Sequence, residues 1–309
     1  MKLLFVADEA HPERWTRLLQ AALPMAEIRV WHPDSPAFGA DYAIVWRPPG
    51  RLFERETRLR AVFNLGAGVD GLLGIEAMPP GLPLIRLEDA GMSAQMAEYV
   101  VHQVVESSRD MVAYRAQQVE GVWRVLRPIR RDAWPVGVLG LGRIGARVAR
   151  TLATLEYPVA GWARRARTLD GVEVFAGDAG LGAFLKRTRV LVNTLPLTDV
   201  TRDLLDYRTL TALLPDAVVI NVGRGEQLVD ADLIRAMNEG HVRAATLDVF
   251  REEPLPPEHP FWRQPGLTIT PHVSARTLRE ATVAQIADKI RALEAGLPVS
   301  GVVDRSRGY

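Results

Sequence analysis

The stretch "WPVGVLGLGRIGARVARTLATL", residues 134–155, joins two kinds of pattern. Its V-G-V-L run is short and apolar, as a buried strand is, whereas A-R-V-A-R-T-L-A-T-L spaces its apolar residues as a helix does. Between them lies G-L-G-R-I-G, residues 140–145. Gly140 permits a tight turn, Gly142 lets backbone reach a pyrophosphate, and Gly145 allows close packing of helix on strand. The helix N-terminus adds a positive field. Such a glycine pattern alone is a weak signal, since a glycine-rich turn is the ordinary alternative. The preceding strand and following helix turn it into the expectation of a dinucleotide site.

The same alternation extends in both directions. Toward the N-terminus, KLLFVA, EIRVW, YAIVW, AVFNLG and LPLIRL read as strands bordered by Pro, Gly and Asp. Toward the C-terminus, YPVAGWA, VLVNTLP, AVVINVG, AATLDVF and LTITPH form a second series. Two α/β units with parallel sheets and helices on both faces are expected. Between the series, Ser93 to Gln118 reads as one long connecting helix, with Met96, Val100, Val104, Met111 and Val112 near one stripe. The helical tail from Ala275 to Leu297 is expected to fold back onto the first unit. The basic and aromatic segment VEGVWRVLRPIRRDAW, residues 119–134, reads as a packing or subunit-contact arm.

Composition narrows the partners. The chain has 309 residues, enough for two cores. Its 38 basic and 37 acidic side chains leave a net charge of +1, so no overall field draws nucleic acid or a membrane surface. The partner is expected to be small. The apolar run Leu3 to Ala7 ends at Asp8 and Glu9, too short for a signal peptide or a membrane span. The absence of cysteine excludes disulfides, thiolate metal sites and thiol nucleophiles, and no metal is expected. By default the expected location is the cytoplasm.

Cofactor choice turns on the end of the next strand. An NAD site places an acid there against the ribose hydroxyls. Here AGWARRAR puts Ala163 near that place, followed by Arg164 and Arg165. Guanidinium groups pair bidentately with phosphate, so these arginines favour NADP(H), with NAD(H) still possible; a solvated loop is the plain alternative. Three later strands end at NVGRGEQLVD, LDVFREEPLPP and TITPHVSA. Ligands of open α/β sheets bind beyond the carboxyl ends of strands, which singles out Arg224, Glu253 and His272. Each alone has an ordinary explanation as a surface or hydrogen-bonded residue. Together they supply a cation, a carboxylate and an imidazole, the parts that bind an acid and move a proton.

These motifs, with NLGAGVDGLL at 64–73 and in this order, resemble the D-isomer-specific 2-hydroxyacid dehydrogenases along nearly the whole chain, closest to the glyoxylate and hydroxypyruvate reductase branch. The resemblance implies a flavodoxin-like substrate domain, 1–101 and 277–309, interrupted by an NAD(P)-binding Rossmann domain at 102–276. Both are doubly wound parallel-sheet units, and the family is usually a homodimer with its site in the interdomain cleft. It also implies that Arg224, Glu253 and His272 are catalytic and that Asp248 positions the nicotinamide. The implied cofactor contacts are Gly140, Gly142, Arg143, Ile144, Gly145, Arg164, Arg165, Leu195, Pro196, Val222, Gly223, Asp248, His272 and Ser274. Ser274 stands where a small apolar residue is common in relatives.

The implied chemistry is reduction of a small 2-oxo acid to a D-2-hydroxy acid. Arg224 holds the carboxylate and keto oxygen, its flanking glycines letting backbone and nicotinamide come close, and lysine substitutes poorly there. His272 protonates the carbonyl oxygen, while Glu253 on the other ring nitrogen fixes the tautomer and favours the imidazolium. Gly66 and Gly68 let the amides of Ala67, Gly68 and Val69 form a nest for the substrate carboxylate. Trp46 either borders the substrate or packs in the core, and Arg47 is expected to be exposed. Two other readings stay open: a dehydrogenase for another acid, such as lactate or phosphoglycerate, and a non-catalytic NAD(P)-sensing protein.

Overall fold

The computed structural model describes residues 1–8, 10–126 and 130–309. It divides into two compact units, Met1–Gly91 with Thr277–Tyr309, and Met92–Arg276.

The first unit is built on the strands β1 (Lys2–Val6), β2 (Glu27–Val30), β3 (Tyr42–Val45), β4 (Ala61–Asn64) and β5 (Leu84–Ile85), with helices α1 (Pro12–Ala22), α2 (Arg51–Arg55) and α3 (Asp70–Leu73). All pairings are parallel, in the order β2-β1-β3-β4-β5. That is the flavodoxin-like order. Strands β1, β3, β4 and β5 are buried on both faces, which explains their continuous apolar runs, whereas the edge strand β2 alternates exposed Glu27 and Arg29 with half-buried Ile28 and Val30. Leu4, Val6, Ala43, Val45 and Val62 pack with Leu52, Phe53 and Leu72 on one side. On the other, Phe5 stacks on Trp15 of α1 with ring centroids 5.7 Å apart. The C-terminal helix, Arg279–Glu294, packs against α1, and Val302 bridges to Ile85, so the tail does complete the first unit.

The second unit opens with α4 (Met92–Ser108) and α5 (Met111–Val119), followed by β6 (Val136–Leu139), α6 (Arg143–Thr154), β7 (Val159–Ala163) and β8 (Glu173–Ala176). It continues through α7 (Gly177–Lys186), β9 (Val190–Asn193), α8 (Tyr207–Thr211), β10 (Ala217–Asn221), α9 (Asp230–Asn238), β11 (Val242–Leu247) and β12 (Leu267–Ile269). The parallel order β12-β11-β10-β9-β6-β7-β8 reverses between β9 and β6, which is the dinucleotide-binding arrangement. Alternate residues feed two cores. Val136, Val138, Val190, Val192, Val218 and Ile220 meet α4 and α6, while Leu139, Leu191, Val219 and Leu247 meet α7, α8 and α9.

Three expectations differ in detail. The helix expected over 93–118 is two helices, broken where Asp110 takes a left-handed φ of 50°. The unit boundary falls at Met92, not after residue 101, because Met96, Ala97, Val100 and Val104 spend the apolar stripe of α4 on the core under β6 and α6. Strand β8 went unread because its sequence, EVFA, is short and lies at the sheet edge.

Candidate active site

All the later motifs reach the carboxyl edge of the seven-stranded sheet. At the switch point, Gly140 has a φ of 90°, and its N–H donates to Trp162 O at 2.9 Å. A Cβ on Gly145 would stand 1.8 Å from Gly140 O, so α6 can lie this close to the turn only with glycine there. Gly142 is the N-cap of α6; no side chain caps it, and the space where its Cβ would stand is open for 4 Å. Arg143 and Ile144 begin the helix at its exposed end. Arg164 and Arg165 follow β7 directly and are exposed. An open glycine cradle, first-turn amides and two adjacent guanidinium groups fit a dinucleotide with a ribose phosphate. The sequence reading passed over Arg167, whose guanidinium donates to Leu141 O and ties this loop to the glycine turn.

Arg224 sits in a turn whose shape comes from three buried amides. Asn193 Nδ2 donates to Asn221 Oδ1 at 2.9 Å and to Gln227 Oε1 at 2.7 Å. Gln227 Oε1 also accepts from Arg224 N at 2.9 Å, and Gln227 Nε2 donates to Pro196 O at 3.0 Å. Asn221 Nδ2 donates to Arg224 O at 3.1 Å, and Gly223 N donates to Asn221 Oδ1 at 3.1 Å. The network thus holds Leu195 and Pro196 against Val222, Gly223 and Arg224. None of the three amides was singled out from the sequence, although Asn193 and Asn221 each end an apolar strand, where a buried polar group demands partners. The glycine after Arg224 has a different task from the expected one. A Cβ on Gly225 would lie 1.8 Å from the Phe250 carbonyl carbon, so the backbone it admits is the chain's own, leading to Glu253.

His272 and Glu253 meet. Nδ1 of the ring is 2.9 Å from Glu253 Oε2, and Glu253 Oε1 accepts from Phe250 N at 3.1 Å. His272 holds a left-handed φ of 52° and its ring is 40 % exposed. Asp248, in contrast, has no exposed surface. Its carboxylate accepts from Thr270 Oγ1 at 2.5 Å, Val273 N at 2.8 Å and Ser274 N at 2.9 Å. The acid that the resemblance set beside the nicotinamide is the anchor of the His272 loop.

In the first unit, Asn64 Nδ2 donates to Gly66 O at 3.1 Å and Gly68 O at 2.6 Å, drawing these carbonyls to one side of the loop that carries Ala67, Gly68 and Val69. Asn64 also escaped the sequence reading. Trp46 is 40 % exposed, which removes it from the core. Its ring would lie 2.6 Å from a Cβ on Gly66, so Gly66 makes room for Trp46 rather than supplying a left-handed turn. Arg47 is exposed, its guanidinium 5.9 Å from the Trp46 ring centroid. Among the described residues no cluster of His, Asp and Glu could hold a metal, and no helix is long and apolar enough to cross a membrane.

Known proteins share this architecture and sequence. The model of the D-isomer specific 2-hydroxyacid dehydrogenase NAD-binding domain matches residues 101–274. The chain is 44% identical, over the full length of both, to a glyoxylate/hydroxypyruvate reductase A of Yersinia enterocolitica and to another of Serratia proteamaculans. A D-isomer specific 2-hydroxyacid dehydrogenase of Xanthobacter autotrophicus, solved with NADPH and MES, superposes with a TM-score of 0.95 at 38% identity. An NADPH-dependent glyoxylate/hydroxypyruvate reductase of Sinorhizobium meliloti, solved with NADP and sulfate, does so with 0.94 at 36%. Each comparison covers 100% of this chain and 99% of the neighbour. The chain belongs to the D-isomer-specific 2-hydroxyacid dehydrogenases, a family of NAD(P)-dependent oxidoreductases.

Proposed function

We propose that the protein reduces a small 2-oxo acid, with glyoxylate and hydroxypyruvate as the first substrates, to the D-2-hydroxy acid at the expense of NADPH. The observation that carries the reading is the 2.9 Å contact between His272 Nδ1 and Glu253 Oε2, in a chain whose Arg224 lies in the turn just after β10, the strand paired with β11. The nicotinamide, when bound, supplies the hydride that the carbonyl carbon accepts. Arg224 binds the substrate carboxylate and keto oxygen through charge-assisted hydrogen bonds. Glu253 takes the Nδ1 proton of His272 into its hydrogen bond, which leaves Nε2 as the nitrogen that gives a proton to the carbonyl oxygen. The carboxylate also complements the positive charge of the doubly protonated ring. Solvent restores the proton afterwards.

The glycine turn of residues 140–145, with Leu195, Pro196, Val222 and Gly223, would cradle the cofactor, and Arg164 and Arg165 would select the 2′-phosphate. Trp46 and the loop of Ala67, Gly68 and Val69 would serve the substrate. Initial rates of NADPH oxidation with glyoxylate and hydroxypyruvate, beside pyruvate and phosphohydroxypyruvate, test the reading. Turnover of the first pair at the highest kcat/KM supports it; a preference for a larger or phosphorylated acid moves the protein to another branch, and cofactor binding without turnover of any acid favours a sensing role.

The reading includes a homodimer. Val119, Trp123 and Val125 are 89%, 98% and 83% exposed, and Val112 is 62% exposed, along one continuous segment. Residues 127–129 of the arm lie outside the described residues. An apolar stretch of this kind is costly in water and suits a second copy of the chain. Sedimentation of the wild type beside Trp123→Asp is expected to show a dimer turned into a monomer; a monomeric wild type removes this part of the reading.

A further inference from the structure

Two hydroxyl groups that the proposed reaction does not use stand behind its proton donor. Tyr99, partly buried on α4, places its hydroxyl 2.6 Å from Thr270 Oγ1, which in turn lies 2.5 Å from Asp248 Oδ1. A carboxylate only accepts, so Thr270 spends its proton on Asp248 and Tyr99 must donate to Thr270. Burial pushes the Tyr99 phenol up to about 12, so it carries that proton throughout the neutral range. The chain of donors ends on a residue that grips the histidine loop twice. Asp248 accepts from Val273 N and Ser274 N through its side chain, and its carbonyl accepts from His272 N at 2.9 Å. His272 needs such a grip. A φ of 52° is a sparsely populated conformation for a residue with a Cβ, and it persists only where neighbours over-determine it.

We propose that Tyr99 and Thr270 are positioning residues for proton transfer, orienting Asp248 so that its hold on residues 270–274 keeps the His272 imidazole aimed at the substrate. The inference rests on the reading of His272 as proton donor. It gives Asp248 a duty toward the imidazole beyond any toward the cofactor.

The test uses the intact enzyme with Thr270→Val, Thr270→Ser, Tyr99→Phe and, as a control, His272→Asn, measuring kcat, NADPH affinity by fluorescence and the solvent deuterium isotope effect. Misaimed catalytic groups cost up to about a hundredfold in rate. Thr270→Val is expected to lower kcat by about tenfold or more, with NADPH affinity unchanged and a larger solvent isotope effect as proton transfer becomes limiting. Thr270→Ser, which keeps the donor, recovers most of the rate. Tyr99→Phe falls between them, and decides the matter if Thr270→Val does not fold. Wild-type kcat and isotope effect in Tyr99→Phe and Thr270→Val overturn the proposal, as does a loss confined to NADPH affinity. If those variants behave as wild type while His272→Asn is inactive, only the positioning role falls; if His272→Asn is fully active, the reading of His272 falls and takes this inference with it.

Discussion

Glu253 divides its two carboxylate oxygens between the Phe250 amide, 3.1 Å from Oε1, and Nδ1 of His272, 2.9 Å from Oε2. The backbone bond aims the carboxylate, and the carboxylate orients the ring. Neither oxygen is interchangeable with an amide nitrogen, because both face donors.

Glu253→Gln is therefore expected to keep its oxygen on Phe250 N and turn its amide toward Nδ1, where it opposes an N–H. Losing a hydrogen bond to a charged group is worth about 1.5–3 kcal/mol, which in rate is roughly a 10- to 150-fold lower kcat. Steady-state kinetics at saturating NADPH measure it. A wild-type kcat in this variant would separate Glu253 from the chemistry.

Gly225→Ala should damage the same site from behind. Its Cβ would lie 1.8 Å from the Phe250 carbonyl carbon and 2.3 Å from Arg251 N, where only backbone movement can relieve the contact. Overpacking of this kind costs about 1–3 kcal/mol or more, and the shift displaces the Phe250 amide that aims Glu253. Gly182→Ala is the matched control. It lies within α7 with nothing inside 4 Å of its Cβ and should gain about 0.5–1 kcal/mol. Thermal melts and kcat on both variants are the check; equal stabilities would contradict the packing argument.

What the letters revealed and concealed here has a physical pattern. Parallel strands buried on both faces are apolar runs, so β6, β9, β10 and β11 stood out, and the glycine turn at 140–145 located the switch point. Arg224 and Glu253 stood out as candidates because they follow β10 and β11, and His272 because it follows β12, a half-buried strand at the sheet edge. The residues that hold them did not. Asn193, Gln227 and Asn64 act through bonds between segments distant in the chain, and no local period marks a buried amide. Asp248 stood out in the sequence, but its bonds to Thr270, Val273 and Ser274 did not, since these residues come together only when β11 and β12 pair.

Arg164→Ala with Arg165→Ala is expected to raise KM for NADPH by roughly tenfold or more while leaving NADH nearly untouched, since one charge-assisted bond to a 2′-phosphate is worth about 1.5–3 kcal/mol. The ratio of kcat/KM for the two cofactors reads this directly. An unchanged ratio would leave the arginines as a solvated loop.

In the first unit, Glu294 Oε1 accepts from the Tyr42 hydroxyl at 2.6 Å and from Arg60 at 2.5 Å. The Tyr42 bond first, then Arg60, hold the carboxyl below its ordinary value of 4.5 against the opposing effect of burial. A depressed acid stabilises the fold above its unfolded value and loses that contribution as pH falls through its folded one. Glu294→Gln should accordingly melt below the wild type at neutral pH, with the gap closing as pH drops below 4.5. Melting curves that stay parallel across that window would contradict it.

The most direct test of the proposed reaction is single-turnover oxidation of bound NADPH by glyoxylate in the wild type and in His272→Asn. Removing a positioned acid costs about 10²–10⁴ in rate, so the account predicts fast oxidation in the wild type and a loss of that order in the variant, with NADPH bound equally well by both. Equal rates in the two proteins would contradict it, and would show that the carbonyl oxygen takes its proton from a group other than His272.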